Sequence, residues 1–224
     1  MFKKVTVLAI SLAALVGCGS GGHDDEARLR VFHASPDAPN VDVFVDGGAV
    51  LGDVPYKAAS EFLPVSPGTR LITVKAAGTN TAVINAELPL NADTDYFVIA
   101  AGKVVSIAPI VATADRSSPE AGSARIRVLH SAASAPAVDV YATAPGANLA
   151  TAEPILKNVP FKALSAYLTV PAGNYDVSVT LANTKTVAIQ ALNLSLADGL
   201  VATVAALDSV GGGGPFALQV LDER

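Results

Sequence analysis

The chain has no tryptophan, one methionine and one cysteine in 224 residues, and Phe and Tyr bring the aromatic share to only 5%. One thiol excludes an intrachain disulfide and any metal centre built from several cysteines. Few rings leave little for stacking on sugars, which carbohydrate modules commonly do with exposed aromatics. Charged residues make up 16% and the formal net charge is −5. No basic cluster stands out, so neither nucleic acid nor an anionic lipid surface is expected as a partner. Apolar residues reach 51%, far above the level of a disordered chain. A nucleophile elbow of the form Gly-x-Ser-x-Gly is missing. The four glycines Gly211–Gly214 run into Pro215 and a β-like stretch. A phosphate cradle needs a helix N-terminus there, so this run is expected to be a strand connection.

What the chain does have is a duplication. Ala27–Val45 and Ala124–Ala142 align without a gap at an offset of 97 and share 10 of 19 residues. The identities include Arg28/Arg125, Arg30/Arg127, His33/His130, Pro39/Pro136 and Asp42/Asp139. Val54–Gly68 recurs as Val159–Gly173 with 8 of 15 identical at an offset of 105. Copy two therefore carries an eight-residue insertion between Thr143 and Asn158.

Each copy reads as short strands separated by turns. In copy one Leu29 and Val31 alternate with Arg28 and Arg30, and Val41, Val43 and Val45 oppose Asp42, Phe44 and Asp46. Strands are predicted at 28–34, 41–46, 59–65, 70–77, 81–90, 96–101 and 104–111. In copy two they fall at 125–131, 138–143, 164–170, 175–181, 186–194, 200–207 and 216–221. Seven strands in fewer than about 90 residues fit a β-sandwich. The expectation is an all-β protein of two tandem sandwich domains, at 27–112 and 124–222, joined by a polar linker at 113–123.

Residues 1–17 read as a secretory signal peptide: Lys3 and Lys4, then the apolar run VTVLAISLAALVG, too short for a comfortable permanent span. The run closes on Leu15-Val16-Gly17-Cys18, which resembles a bacterial lipobox. That resemblance implies acylation of Cys18, cleavage before it, and a lipidated flexible tether over 18–26. Acyl chains bury methylenes at about 0.8 kcal/mol each, so such an anchor would hold stably. Gly19 follows the cysteine where Gram-negative lipoproteins retained at the inner membrane have Asp, which implies the outer membrane. Without Lys3 and Lys4 the chain holds 13 basic and 20 acidic residues.

Candidate ligand-binding residues are His33, Asp37, Asn40 and Asp42 in copy one, with His130 and Asp139 in copy two. Alternation puts His33 on the core face, where its imidazole is expected to hydrogen-bond the Pro-rich turn and fix its path. One histidine per domain is too few for zinc without converging carboxylates. Asp37, Asn40 and Asp42 offer hard oxygens of the kind calcium takes, but an ion pair between Asp42 and Arg28 or Arg30 is the simpler account. Lys57/Lys162 and Ser60/Ser165 repeat as Lys-x-x-Ser, the reverse of the acyl-enzyme spacing, and are expected to be structural. Phe32, Phe44 and Tyr141 could form outward aromatic patches or pack against the partner sheet or the other domain, the latter being expected.

Both copies contain Leu-x-Val-x-x-Gly before a β-rich stretch, a turn that resembles those of immunoglobulin-like and transthyretin-like sandwiches. The phrases LRVFHASPDAPNVDVFVDG and VPYKAASEFLPVSPG resemble the bacterial DUF4397 family of unknown function. The resemblance spans about 27–112 and 124–222 and is weaker in copy two, where Ser35, Pro36, Asp37 and Asn40 become Ala132, Ala133, Ser134 and Ala137. It implies secreted or surface-anchored sandwich modules, often in tandem, and says nothing of an activity. The expected function is that of a non-enzymatic envelope lipoprotein without a cofactor, held by its lipid and engaging an envelope protein or polysaccharide. A carbohydrate- or calcium-binding module is the alternative, and a hydrolase with dispersed carboxylates a more distant one.

Overall fold

The computed structural model describes residues 25–224; the leader, Cys18 and His23 lie outside the described residues. Copy one supplies β1 (Ala27–Ala34), β2 (Val41–Val45), β3 (Gly48–Val54), β4 (Leu63–Val65), β5 (Gly68–Ala76), β6 (Ala82–Leu90), β7 (Asp95–Ala101) and β8 (Ala108–Ala114). Copy two supplies β9 (Ser123–His130), β10 (Val138–Thr143), β11 (Leu156–Val159), β12 (Leu168–Pro171), β13 (Gly173–Leu181), β14 (Val187–Leu196), β15 (Val201–Leu207) and β16 (Ala217–Asp222).

Each copy makes two four-stranded sheets of the same order. In copy one these are β4-β1-β7-β8 and β3-β2-β5-β6; in copy two, β12-β9-β15-β16 and β11-β10-β13-β14. All pairings are antiparallel except β1 with β7 and β9 with β15, which are parallel. The sandwich of copy one closes over Leu29, Val31 and Val98 from one sheet and Val41, Val43, Ile72 and Val74 from the other. Gly68, the first residue of β5, takes φ +111, a conformation that glycine adopts without a side-chain clash.

The sheets holding β1 and β9 are buried on both faces. Phe32, Phe97 and Ile99 of copy one pack against Leu129, Leu207 and Leu221 of copy two, all at most 4% exposed. Burying each such side chain is worth about 1.5–3 kcal/mol. Phe32 thus packs against the other domain, one of the two buried placements expected for it. The contact is close to isologous, because equivalent positions meet reciprocally. Arg30 Nη1 donates to the Asp222 carbonyl, and its counterpart Arg127 Nη1 donates to the Thr113 carbonyl at 2.9 Å. Ser131 Oγ lies 3.5 Å from the carbonyl of Ala34, its own counterpart, which places that pair near a pseudo-twofold axis. The molecule is therefore four sheets deep, with the two repeated sheets in the middle.

These contacts also set direction. Arg30 meets the strand end level with Ile126, while Lys57, bonded to His33, receives Gln219, which is level with Leu129. Strands β1 and β9 consequently run the same way. Glu26 and Asp93 bond to each other at one pole, where the chain enters β1. The turns 35–40 and 132–137 and the loops 102–107 and 208–216 gather at the other, linked by Gly211 N–H donating to Pro36 O at 2.7 Å.

Several strand bounds differ from expectation. β3 and β11 are not in the predicted set, and residues 59–62 and 164–167 form no strand but one isolated β-bridge each, Phe32 with Ala59 and Leu129 with Leu164. The strand predicted at 104–111 begins as a 3₁₀ turn, Val104–Ser106, and the strand follows at Ala108–Ala114. Strand structure resumes at Ser123 after an eight-residue connection, and Arg125 binds the carbonyls of Asp115 and Ser117 in that connection at 2.6 and 2.8 Å.

Candidate functional site

The repeated histidines sit at the loop pole, at the ends of β1 and β9. His33 is fully buried. Its Nδ1 accepts the Ser35 N–H at 3.3 Å, so Nε2 carries the proton and donates to Pro39 O at 3.1 Å. His130 Nε2 contacts Pro136 O at 2.9 Å in the same way. Rings cover both imidazoles edge to face, Tyr56 over His33 and Phe161 over His130, each at 6.1 Å. Burial lowers the proton affinity of both, partly offset by the proline carbonyls. These are turn-fixing groups, as alternation suggested.

Asp42 pairs with neither Arg28 nor Arg30, which corrects the expected ion pair. It lies on the outer sheet, whereas both arginines lie on the inner one; Arg28 instead meets Asp95 at 2.8 Å. Asp42 Oδ1 accepts the Asp53 N–H at 2.8 Å and Oδ2 accepts the Gly78 N–H at 3.0 Å. Asp139 repeats this with Asn158 N–H at 2.6 Å and Asn183 N–H at 2.8 Å. Asp53, Asn158, Gly78 and Asn183 all have positive φ. The carboxylate therefore clamps a bulge and a hairpin turn whose N–H groups leave the ladder. Those bonds hold the Asp42 carboxyl below its ordinary range.

The remaining members of the calcium candidate also bind the protein. Asp37 Oδ1 accepts the Val104 N–H at 2.8 Å, and Asn40 Nδ2 donates to Asp53 Oδ1 at 2.8 Å. Among the described residues no three His, Cys, Asp or Glu side chains gather as a metal site. Lys57 and Lys162 hold φ +71 and +69 and donate their N–H groups to His33 O and His130 O, both at 2.8 Å. Ser60 Oγ accepts the Val31 N–H at 3.0 Å and Ser165 Oγ the Val128 N–H at 2.9 Å, filling gaps in the strand edge.

Sequence reasoning passed over the most buried charges. Arg127, 3% exposed, meets the fully buried Glu223 at 3.1 Å between the copies, and Thr203 and Tyr167 donate to the same carboxylate. The Tyr167 and Tyr56 hydroxyls are both pushed up, chiefly by burial. Arg127 had a signal, its identity with Arg30; Glu223, next to last, had none. On the outer faces, Lys75 Nζ stands 4.4 Å from the half-buried Phe44 ring, and Lys185 Nζ 4.3 Å from the buried Tyr141 ring. Lys185 is held there by the inserted segment, donating to Ala152 O at 2.6 Å.

The loop pole carries two exposed apolar tips. Val105 is 90% exposed and Val210 81%, one on each copy's equivalent loop, with Lys103 exposed beside the first. No helix among the described residues is long and apolar enough to cross a membrane.

Paired four-stranded sheets in each copy, with repeated polar residues bonded to turns and strand edges, define a tandem β-sandwich protein. The chain belongs to the DUF4397 family, described as a domain of unknown function, which matches residues 27–141 and 143–224. No curated protein matches it.

Proposed function

We propose that the protein is a non-enzymatic display module of the cell envelope, anchored through an acylated Cys18 and binding its partner at the loop pole. The observation that carries this reading is polarity: the chain enters β1 at one pole, and the loops of both copies, with Val105 and Val210, lie at the other. A nine-residue tether, 18–26, spans up to about 30 Å when extended, enough to lift the first pole off a bilayer surface. Gly19 after the cysteine favours the outer membrane. Two sandwiches bolted through a buried interface would present both loop sets as one rigid surface, the arrangement in which loops on a fixed scaffold recognise partners.

The test is crosslinking and capture from intact cells, comparing the wild-type chain with Cys18→Ala and with Val105→Asp/Val210→Asp. The expected result is one envelope protein or polysaccharide, enriched with wild type and lost in both variants. Capture that survives the double aspartate variant would remove the loop pole from the proposal. Turnover of an envelope substrate by the purified protein would remove the non-enzymatic reading.

A further inference from the structure

Both copies carry the same outer sheet face, but only copy two covers it. Tyr141, Ser178 and Thr180 alternate with the core residues Val140, Val177 and Val179, so they point outward, yet they are 3%, 4% and 0% exposed. The cover is the segment lengthened by the insertion. It is fastened at three points: Gly146 N–H donates to Asp176 Oδ2 at 2.7 Å, Lys185 Nζ to Ala152 O at 2.6 Å, and Ile155 N–H to Val140 O at 2.8 Å. In copy one the two-residue turn Asp46-Gly47 joins β2 directly to β3. There the equivalent Phe44, Thr73 and Lys75 are all partly exposed, and Leu71, at the position of Asp176, is 38% exposed.

We propose that the outer face of copy one, centred on Phe44, docks an extended peptide segment of a partner protein, seated as residues 146–155 seat on copy two. The twin face shows what such a site accepts. An ammonium stands over the ring in both copies, 4.4 Å from Phe44 and 4.3 Å from Tyr141. It comes from positions that are not equivalent, since Lys75 corresponds to Thr180 and Lys185 lies in the turn between β13 and β14. In copy two that ammonium donates to a carbonyl of the covering segment. Lys75 forms no salt bridge among the described residues, and both Asp42 oxygens are taken by backbone N–H groups.

The chemistry of the occupant follows from the differences between the faces. Leu71 in place of Asp176 asks for an apolar residue where the insertion offers Gly146 N–H. Beside the ring lies an open hollow of about 410 Å³, walled by Asp42, Phe44, Ala49, Val50, Leu51 and Gly52, and it takes an apolar side chain. The unpaired Lys75 favours a carboxylate next to the accepting carbonyl, as Glu153 follows Ala152 in the insertion. The occupant is therefore an extended segment of apolar residues with one acid. An ammonium above the ring leaves little of it for a sugar to stack on, which argues against a glycan here. The face lies on strands, apart from the loops that carry Val105 and Val210.

The probe is a synthetic peptide of residues 147–156, ANLATAEPIL, titrated into the isotope-labelled full chain and followed by amide NMR shifts. The expected result is binding in the millimolar range, with shifts in β2, β3 and β5 of copy one. Phe44→Ala should weaken it about tenfold, as loss of an aromatic anchor does. Glu153→Gln within the peptide should also weaken it, whereas Val105→Asp/Val210→Asp in the protein should leave it unchanged. No shift in these strands at millimolar peptide, or binding that ignores Phe44→Ala, overturns the proposal. Shifts of the same residues on dilution without peptide, matched by dissociation in sedimentation, would seat a second copy on the face and overturn it as well.

Discussion

Asp42 and Asp139 do the same work in different solvent, which makes the pair an internal experiment. Each carboxylate accepts two backbone N–H groups, but Asp139 is only 4% exposed while Asp42 is no more than half-buried. Removing an acceptor costs most where water cannot replace it. Asp139→Ala should therefore destabilise the protein by about 2–4 kcal/mol in urea unfolding, and Asp42→Ala by clearly less. Equal losses would mean that the clamps act through turn geometry alone. Asp42 also sets a direction with pH. Its folded-state proton affinity is lowered by the Asp53 and Gly78 N–H bonds, so its contribution is complete above the unfolded carboxyl pKa of 3.8. That contribution is lost as pH falls through the lower folded value, and Asp42→Asn should flatten this part of the acid limb.

At the scale of strands, the duplication compares two packings of one design. The core of copy one is a single cluster, whereas that of copy two breaks into two. The break follows from two shortened side chains: the cross-strand pair Val45–Ile72 becomes Ala142–Val177. A narrow apolar crevice of about 20 Å³ remains, with both residues and Ile126 and Val204 on its walls. Restoring the copy-one pair with Ala142→Val and Val177→Ile should stabilise the protein by about 0.5–2 kcal/mol, read as a raised midpoint at unchanged m-value. A lowered midpoint would show that the sheets of copy two have already closed onto the smaller residues. Strands with alternating residues, such as Val41–Val45 and Val138–Thr143, were legible because one face is apolar. Gly48–Val54 was not: glycines at 48 and 52, two register shifts and Asp53 at positive φ erase the alternation of that edge strand. The Asp42 clamp was equally hidden, since its partners are backbone N–H groups that leave no residue pattern.

The face-to-face packing of the copies lies beyond what periodicity can tell. Arg30 and Arg127 alternate with core residues as solvent-facing cations would, yet both reach across the interface between the copies. Only Phe32 and Leu129, apolar on those same faces, hinted that they are covered. Arg127 is the more deeply committed of the two, because Glu223 supplies a buried countercharge where Arg30 finds a carbonyl. A buried ion pair adds little over an apolar pair of the same shape, but a lone member left behind is costly. Glu223→Ala should therefore cost about 3–5 kcal/mol, and Arg127→Met/Glu223→Met should recover most of it. Because both lie between the copies rather than inside either sandwich, the single variant should loosen the interface before it melts a core. Hydrogen exchange should rise first in β1, β8, β9 and β16, with the outer sheets still protected. Simultaneous loss of protection in all four sheets would instead make the two copies one cooperative unit. In that case the pseudo-dimer interface is part of the folding core, and neither repeat is a domain that stands without the other.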